Sequence, residues 1–422
     1  MFIQKPINPD ARVAVIGGGP AGMAAALFAA ECGASVTLAE RNEKLGKKLY
    51  ITGKGRCNIT NMADAERTQA NILRGAPFLR SALAAFDARA LRSWLESLGL
   101  PTVEERGGRV FPASMKASDV TRALTREMEA RGVIVMLRAR VKSIKIDGGR
   151  ASGVMLEDGR NIDCSAAILA TGGLSYPATG STGDGYQIAA SLDHTIVPTG
   201  PALAPLESGA AWVRELQGLS LRNVTLRASW SGRRVMDEQG ELLFTHFGIS
   251  GPLALTLSSR IPGAAGSLEP LSTTLDLKPA LSIEQVEARL TREFADNPRK
   301  RLDTVLCAML PERFAKLFPE LCGVRPDRAA AQITKDERRK VAETFKALRV
   351  PIDRLRGFDE AVITRGGVDL REIDPRTMCS KKIAGLYFAG EIIDADALTG
   401  GFNLQIAFST GAKAGRSAAS VI

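Results

Sequence analysis

Between residues 12 and 40 the chain reads RVAVI, GGGPAG, a run of small apolar residues to about Cys32, and SVTLAE. Gly17, Gly19 and Gly22 have the spacing G-x-G-x-x-G, directly after an apolar strand and at the head of a helix. Few folds accommodate that order. Gly17 permits a tight turn, Gly19 lets an anion approach the backbone, and Gly22 lets the helix lie close to the strand. Pro20 and Ala21 start the helix, whose free N–H groups and positive end suit a pyrophosphate. Glu40 closes the second strand, where a carboxylate can accept the two hydroxyls of a ribose. A bare glycine pattern is weak; with strand, helix and acid in place, it predicts a dinucleotide-binding α/β domain.

The chain has 422 residues, more than one ordinary core holds, so two or three domains are expected. Its 45% apolar content and low aromatic content fit a globular protein. The six cysteines form no C-x-x-C pair and no zinc spacing, and only His194 and His246 are present. That usage fits a reducing cytoplasm and excludes dithiol redox chemistry, structural zinc and a His-rich metal site. Residues 13–30 are uncharged and long enough to suggest a membrane span, but three glycines and a proline interrupt them. A buried strand–turn–helix is the expectation there, with neither export nor a span.

The middle of the chain separates the two common dinucleotides. A helical stretch (76–98) and a helix opened by Ser118 precede short strands at 133–137, 139–146, 151–157 and 160–164, turned by Gly148-Gly149 and Asp158-Gly159. The strand AAILATGG (166–173) follows, ending in Thr171-Gly172-Gly173. Residues 385–415 then supply a strand, Gly390-Glu391, a loop, and a helix from about Gly401. A meander between two halves of a nucleotide-binding fold, followed by ATG at a strand end, is the layout of the FAD domain in two-dinucleotide-binding-domain flavoproteins. Three contact segments on one chain predict FAD; NAD alone leaves the third unexplained. In that layout Glu391 meets the ribityl–phosphate region, and the last helix points its positive end at the flavin pyrimidine edge.

At this point the sequence resembles a family of bacterial FAD-dependent flavoproteins with an inserted domain, known as NAD(P)/FAD-dependent oxidoreductases or aminoacetone-oxidase-family enzymes. The stretches that carry the resemblance are VIGGGPAGMAAA, ERNEKLGKKLYITGKGRCNITN, GGRVFP, ILATGGLSYPATGSTGDGY, LFTHFGISGPLAL, ITRGGV and GLYFAGEIIDADALTGGFNLQIA. They span about residues 11–415, with two departures: Cys379 stands where an acid is expected, and Phe402 where tyrosine is commoner. The resemblance implies a Rossmann-type FAD domain at 1–195 and 358–422. It implies a β-rich, barrel-like insert at 196–280 and 345–357, and a small helical insert at 281–344. The sequence agrees with this division, since 212–257 alternates in short apolar runs. Residues 282–349 read helical, broken at Pro298, Pro311, Pro319 and Pro326. Expected FAD contacts are Gly17, Gly19, Pro20, Ala21, Gly22, Glu40 and Arg41, then Lys47, Lys48, Gly53, Gly55, Arg56, Cys57 and Asn58. Val141, Ala170, Thr171, Gly172, Gly390, Glu391, Gly401, Phe402, Asn403 and Leu404 complete the set.

The loop GKGRCNITN (53–61) is thereby read mainly as a cofactor cradle, with Lys47, Lys48 and Arg56 available to the pyrophosphate. Cys57 is either a packed or flavin-adjacent thiol or a catalytic one. His246 is a candidate proton donor or a structural histidine, and Arg109 a candidate cation for an anionic substrate or a phosphate, or a surface arginine. His194 reads as a charge at a helix C-terminus. Tyr176, Ser181 and Thr182 are candidates to line the flavin pocket, and Arg365 to return the chain beside it. No second strand–G-x-G-x-x-G–helix unit exists, so NADPH or NADH, if it is the electron donor, would dock transiently over the flavin or use the insert. The alternative is a substrate that reduces the flavin itself, with oxygen reoxidising it.

The net charge is +10, and residues 281–356 carry 17 Lys/Arg against 12 Asp/Glu. A solvated helical surface is the simpler reading of that bias; an RNA-binding face is the other. Three functions remain open. The leading one is reduction of an activated C=C or C=N by hydride from flavin N5; the family resemblance extends this to the uracil ring of ribosomal RNA. The others are an oxygen-using amine oxidase and an RNA-binding flavoprotein with structural FAD.

Overall fold

The computed structural model describes residues 11–262 and 268–420. It divides into two compact units, one formed by the chain up to Ala202 and again from Phe358, the other by Leu203–Gly357.

The first unit is organised by five parallel strands: β1 (Arg12–Ile16), β2 (Ser35–Ala39), β3 (Ile134–Met136), β4 (Ala166–Leu169) and a fifth strand, Leu386–Phe388. β1 is central, flanked by β4 and β2, with β3 and Leu386–Phe388 at the edges. β1 and β4 are almost wholly buried, as expected for a parallel sheet covered on both faces. Helix α1 (Pro20–Glu31) lies against α2 (Phe402–Ala419) along a seam of small residues. A Cβ at Gly411 would stand 2.3 Å from the Ala21 carbonyl oxygen, and one at Gly415 2.2 Å from that of Ala25. The two backbones touch because neither pair of positions carries a side chain larger than alanine.

Several sequence expectations shift locally. Ile134–Met136 pairs in parallel with β2 and so leaves the meander, which keeps three strands: Val141–Asp147, Arg150–Leu156 and Asn161–Asp163. The helical stretch 76–98 is two helices, because the Asp87 carboxylate accepts the Ala90 N–H at 2.8 Å and starts a new one. Ser118 does not open its helix; Ala117–Ala130 begins after Lys116 without a side-chain cap. The remaining strands of this unit include β5 (Ile196–Ala202) and β6 (Ile363–Val368), which are antiparallel partners.

In the second unit, seven antiparallel strands form one sheet, and five helices between Ile283 and Ala347, counting the 3₁₀ turn Ala330–Gln332, share its hydrophobic core. Trp212 stacks on Phe314 at 6.4 Å, and Phe244 meets the same ring edge-on at 6.1 Å, joining strand and helix side chains in one cluster. Pro319 does not break its helix but sits inside Glu312–Leu321, in the last turn, where it gives up one i→i−4 bond just before the helix ends.

Candidate functional site

The three glycines of the first turn have separate duties. Gly17 has φ +104°, and a Cβ there would lie 2.5 Å from the Ala170 carbonyl oxygen. A Cβ on Gly22 would lie 1.8 Å from the Gly17 carbonyl oxygen. Gly19 differs: nothing stands within 4 Å of where its Cβ would be. Open space at that position, beside a helix that begins at Pro20 without a side-chain cap, is what a diphosphate requires.

Glu40 is buried, and both carboxylate oxygens are engaged. One accepts the Gly18 N–H at 2.6 Å; the other accepts the Asn42 N–H at 2.8 Å and the Asn42 side-chain amide at 2.7 Å. The acid therefore ties the strand end to the glycine turn and fixes the turn's shape. Arg41 pairs with Asp184 at 3.1 Å, and Arg140 binds the same carboxylate at 2.8 Å. Val141 begins the meander opposite Leu156. Ala170 donates its N–H to Ile16 at 2.8 Å, and Gly172 follows in a left-handed turn. Between them, Thr171 Oγ1 is buried with no partner.

The loop after β2 winds through 3₁₀ turns from Lys47 to Gly55. Lys48 forms an ion pair with Glu391 at 2.7 Å, and Glu391 also accepts the Thr364 N–H at 2.8 Å. Lys47 pairs with Glu43. Arg56 pairs with Glu105 at 2.8 Å and lies over the Phe111 ring. Arg109 shares Glu105, 3.6 Å away, and is half exposed. Arg56 and Arg109 thus converge on one carboxylate and one aromatic ring.

Cys57 is fully buried, at φ +61°, and burial pushes its thiol up to about 12. Such a thiol stays protonated at neutral pH, which disfavours a thiolate nucleophile. Its neighbour Asn58 has a buried side-chain oxygen without a partner. His246 is exposed in the second unit, edge-on to Phe247. His194 is not a helix-end charge: it is buried beyond the helix Asp184–Ser191, and its Nε2 meets Ser380 Oγ at 2.8 Å. Burial holds it below the usual histidine range, so it is neutral.

Helix α2 starts after Gly401 (φ +104°), whose Cβ would strike the Thr60 carbonyl at 2.4 Å. Phe402 is buried and Leu404 half-buried in its first turn, and the helix has no side-chain cap. Asn403 accepts the Ala397 N–H at 2.9 Å and donates to the Ala397 carbonyl at 2.7 Å, clamping the preceding loop. Gly390 donates to Thr410 at 2.9 Å, fastening the other end. Sequence reading missed Gln405, which is buried, bonds Thr60 and donates to the Phe86 carbonyl at 2.8 Å. Nothing local marks it. Gly411 and Gly415 were also missed, although small residues four apart on two helices are a readable signal.

The open position at Gly19, two uncapped helix starts and the unpartnered Thr171 and Asn58 oxygens suit a large dinucleotide cofactor. Residues 11–417 match the model described as HI0933-like protein Rossmann domain. The chain belongs to this family. It is 32% identical over 414 residues to the 3-dehydro-bile acid delta(4,6)-reductase of Clostridium scindens, covering 97% of this chain and 99% of that one. It is also 32% identical over 398 residues to the ribosomal RNA dihydrouridine synthase of Escherichia coli, covering 94% and 95%. Among solved structures, a 3-ketosteroid delta1-dehydrogenase from Sterolibacterium denitrificans matches with TM-score 0.50 and 14% identity over 97% of this chain and 99% of that one. A quinol-fumarate reductase matches with TM-score 0.51 and 18% identity over 97% and 70%. Those two likenesses concern fold alone.

This family member is an FAD-dependent oxidoreductase with a Rossmann-type fold. Among the described residues, no cluster of three metal-ligating side chains occurs, and no helix is long and apolar enough to cross a membrane.

Proposed function

We propose that the enzyme saturates a carbon–carbon double bond conjugated to a carbonyl group. The observation that carries this reading is near-full-length similarity to two relatives whose named reactions share that chemistry. One removes delta(4,6) double bonds from a 3-dehydro bile acid; the other converts uridine to dihydrouridine. In both, the bond that is saturated is polarised by a conjugated carbonyl, so it accepts hydride at one carbon and a proton at the next.

FAD supplies the hydride when bound and reduced. The chain's own residues do the holding. Gly19 and the start of α1 would take the diphosphate, and Glu40 the adenosine ribose while it braces the turn. Lys48 and Glu391 would flank the ribityl chain. The uncapped start of α2 would face the pyrimidine edge and favour its anionic reduced form. NADPH or NADH is the proposed electron donor.

A small-molecule acceptor is favoured over RNA. The basic stretch in the second unit is partly offset by its own carboxylates: Arg338 and Arg339 share Glu287, Arg301 pairs with Asp303, and Arg325 with Asp327. Such pairing weakens the field available to a phosphate backbone. The test is anaerobic reoxidation of the NADPH-reduced enzyme by a conjugated enone, with 4-androstene-3,17-dione as the probe. Ribosomal RNA from a deletion strain decides the other substrate, since unchanged dihydrouridine there would eliminate it.

A further inference from the structure

The segment from Asp394 to Gly401 joins Gly390-Glu391 to the start of α2. It thus connects two of the expected cofactor contacts. It also carries two carboxyl groups that the hydride chemistry does not use. Asp396 is 1% exposed, and its chain position pairs with Arg74 across a short antiparallel bridge. One Asp396 oxygen accepts from Arg74 at 2.7 Å; the other is buried with no partner. Asp394 is half-buried and has one buried oxygen without a partner.

The second guanidinium comes from Arg365. It lies in β6, where the pairing with β5 shifts register and Gly366 and Gly367 both have positive φ. A bulge of this kind re-aims a neighbouring side chain. Arg365 lies across Gly200, where a Cβ would stand 2.9 Å from its Nε. It is buried, and its charge is felt by Asp396. Other charged or titratable groups facing the pair are Asp369, beyond β6, and Tyr186 of the helix Asp184–Ser191.

We propose that Asp394 and Asp396, flanked by Arg74 and Arg365, hold and deliver the proton that completes saturation of the substrate's double bond. This rests on the reading that the enzyme saturates such a bond. The balance is simple. The π bond breaks, hydride from reduced FAD forms one C–H bond, and the carboxyl proton forms the other as its O–H bond breaks. The resulting Asp394 carboxylate is stabilised by the Arg74 guanidinium and regains its proton from solvent. Asp394, the less buried of the two, is the donor; Asp396, buried and held by Arg74, is the positioning residue. Burial raises both carboxyls above the usual aspartate range, and on each one buried oxygen has no donor to support a negative charge. Donation is therefore lost as pH rises through the raised value.

The experiment uses FAD-loaded wild type, Asp394→Asn, Asp396→Asn and the double variant, with flavin content and thermal midpoint as checks on folding. Infrared difference spectra between oxidised and dithionite-reduced enzyme, in H2O and D2O, need no substrate. The expected result is a protonated-carboxyl band that shifts in D2O and vanishes in the double variant. No such band, or one that persists in the double variant, overturns the proposal. In the second readout, reoxidation by 4-androstene-3,17-dione should slow ~100-fold or more in Asp394→Asn, as for loss of a general acid. Bleaching by NADPH, which needs no such acid, should stay within about twofold. Unchanged reoxidation in Asp394→Asn overturns delivery by this pair. If the wild type ignores the enone, the reading of the substrate fails, and the infrared band still decides whether the pair holds a proton.

Discussion

Both units hold a cluster of packed rings, but they differ in the polar atoms they bury. In Leu203–Gly357 the core is filled by large rings, with Trp212, Phe244, Phe314, Phe318 and Phe345 in mutual contact. In the other unit Phe28, Phe86, Trp94 and Phe408 pack likewise, but small residues also bring two helix backbones together, and polar atoms are buried without partners. Among the described residues, the buried side-chain polar atoms lacking a partner are on Asn58, Thr121, Thr171, His194, Asp394 and Asp396 of that unit, against Arg338 alone in the second. Buried polar groups are normally satisfied, so this imbalance marks the first unit as the one built to receive a ligand. One unit is closed by its own side chains; the other is completed by something it binds.

The sharpest way to break that contrast is Gly22→Val. Its Cβ would collide with the Gly17 carbonyl, so neither a folded first unit nor bound flavin is expected. Soluble, yellow Gly22→Val protein would contradict the packing described. Phe314→Ala should remove about 4 kcal/mol from the stability of the second unit, as for a buried aromatic. Denaturant unfolding measures it, and the flavin-to-protein ratio of the folded fraction should not change.

Gly19→Val sharpens the comparison differently. Because nothing stands within 4 Å of the added Cβ, the fold and circular dichroism should be kept while flavin is absent after purification. The smallest effect concerns Cys57. With its thiol pushed up to about 12, it should resist iodoacetamide at pH 8 while exposed Cys307 reacts, as peptide mass analysis would show. Prompt labelling of Cys57 in the folded enzyme would restore it as a nucleophile candidate.

What the sequence disclosed follows the range of each interaction. The turn Gly17–Gly22, Glu40 at the strand end, and the helix after Gly401 were readable because each depends on neighbours close in the chain. The departure of Ile134–Met136 to the parallel sheet was not, since its apolar residues suit either sheet and the choice is made by pairing with Thr37–Ala39. His194 looked like a helix-end charge until Ser380 and Phe388, nearly two hundred residues away, enclosed it. Lys48 and Arg56 looked free for phosphate, but their partners Glu391 and Glu105 come from distant strands and loops. Gln405 and the Asp394–Asp396 pair likewise acquire meaning only through residues such as Thr60, Arg74 and Arg365.

The most direct measurement is stopped-flow spectroscopy of the enzyme under nitrogen. NADPH or NADH should bleach the flavin, and an acceptor with a carbonyl-conjugated double bond should restore its colour, with one bond saturated per flavin reoxidised. The account is contradicted if the bleached enzyme regains colour only when oxygen is admitted, releasing peroxide, and a primary amine bleaches the oxidised enzyme instead.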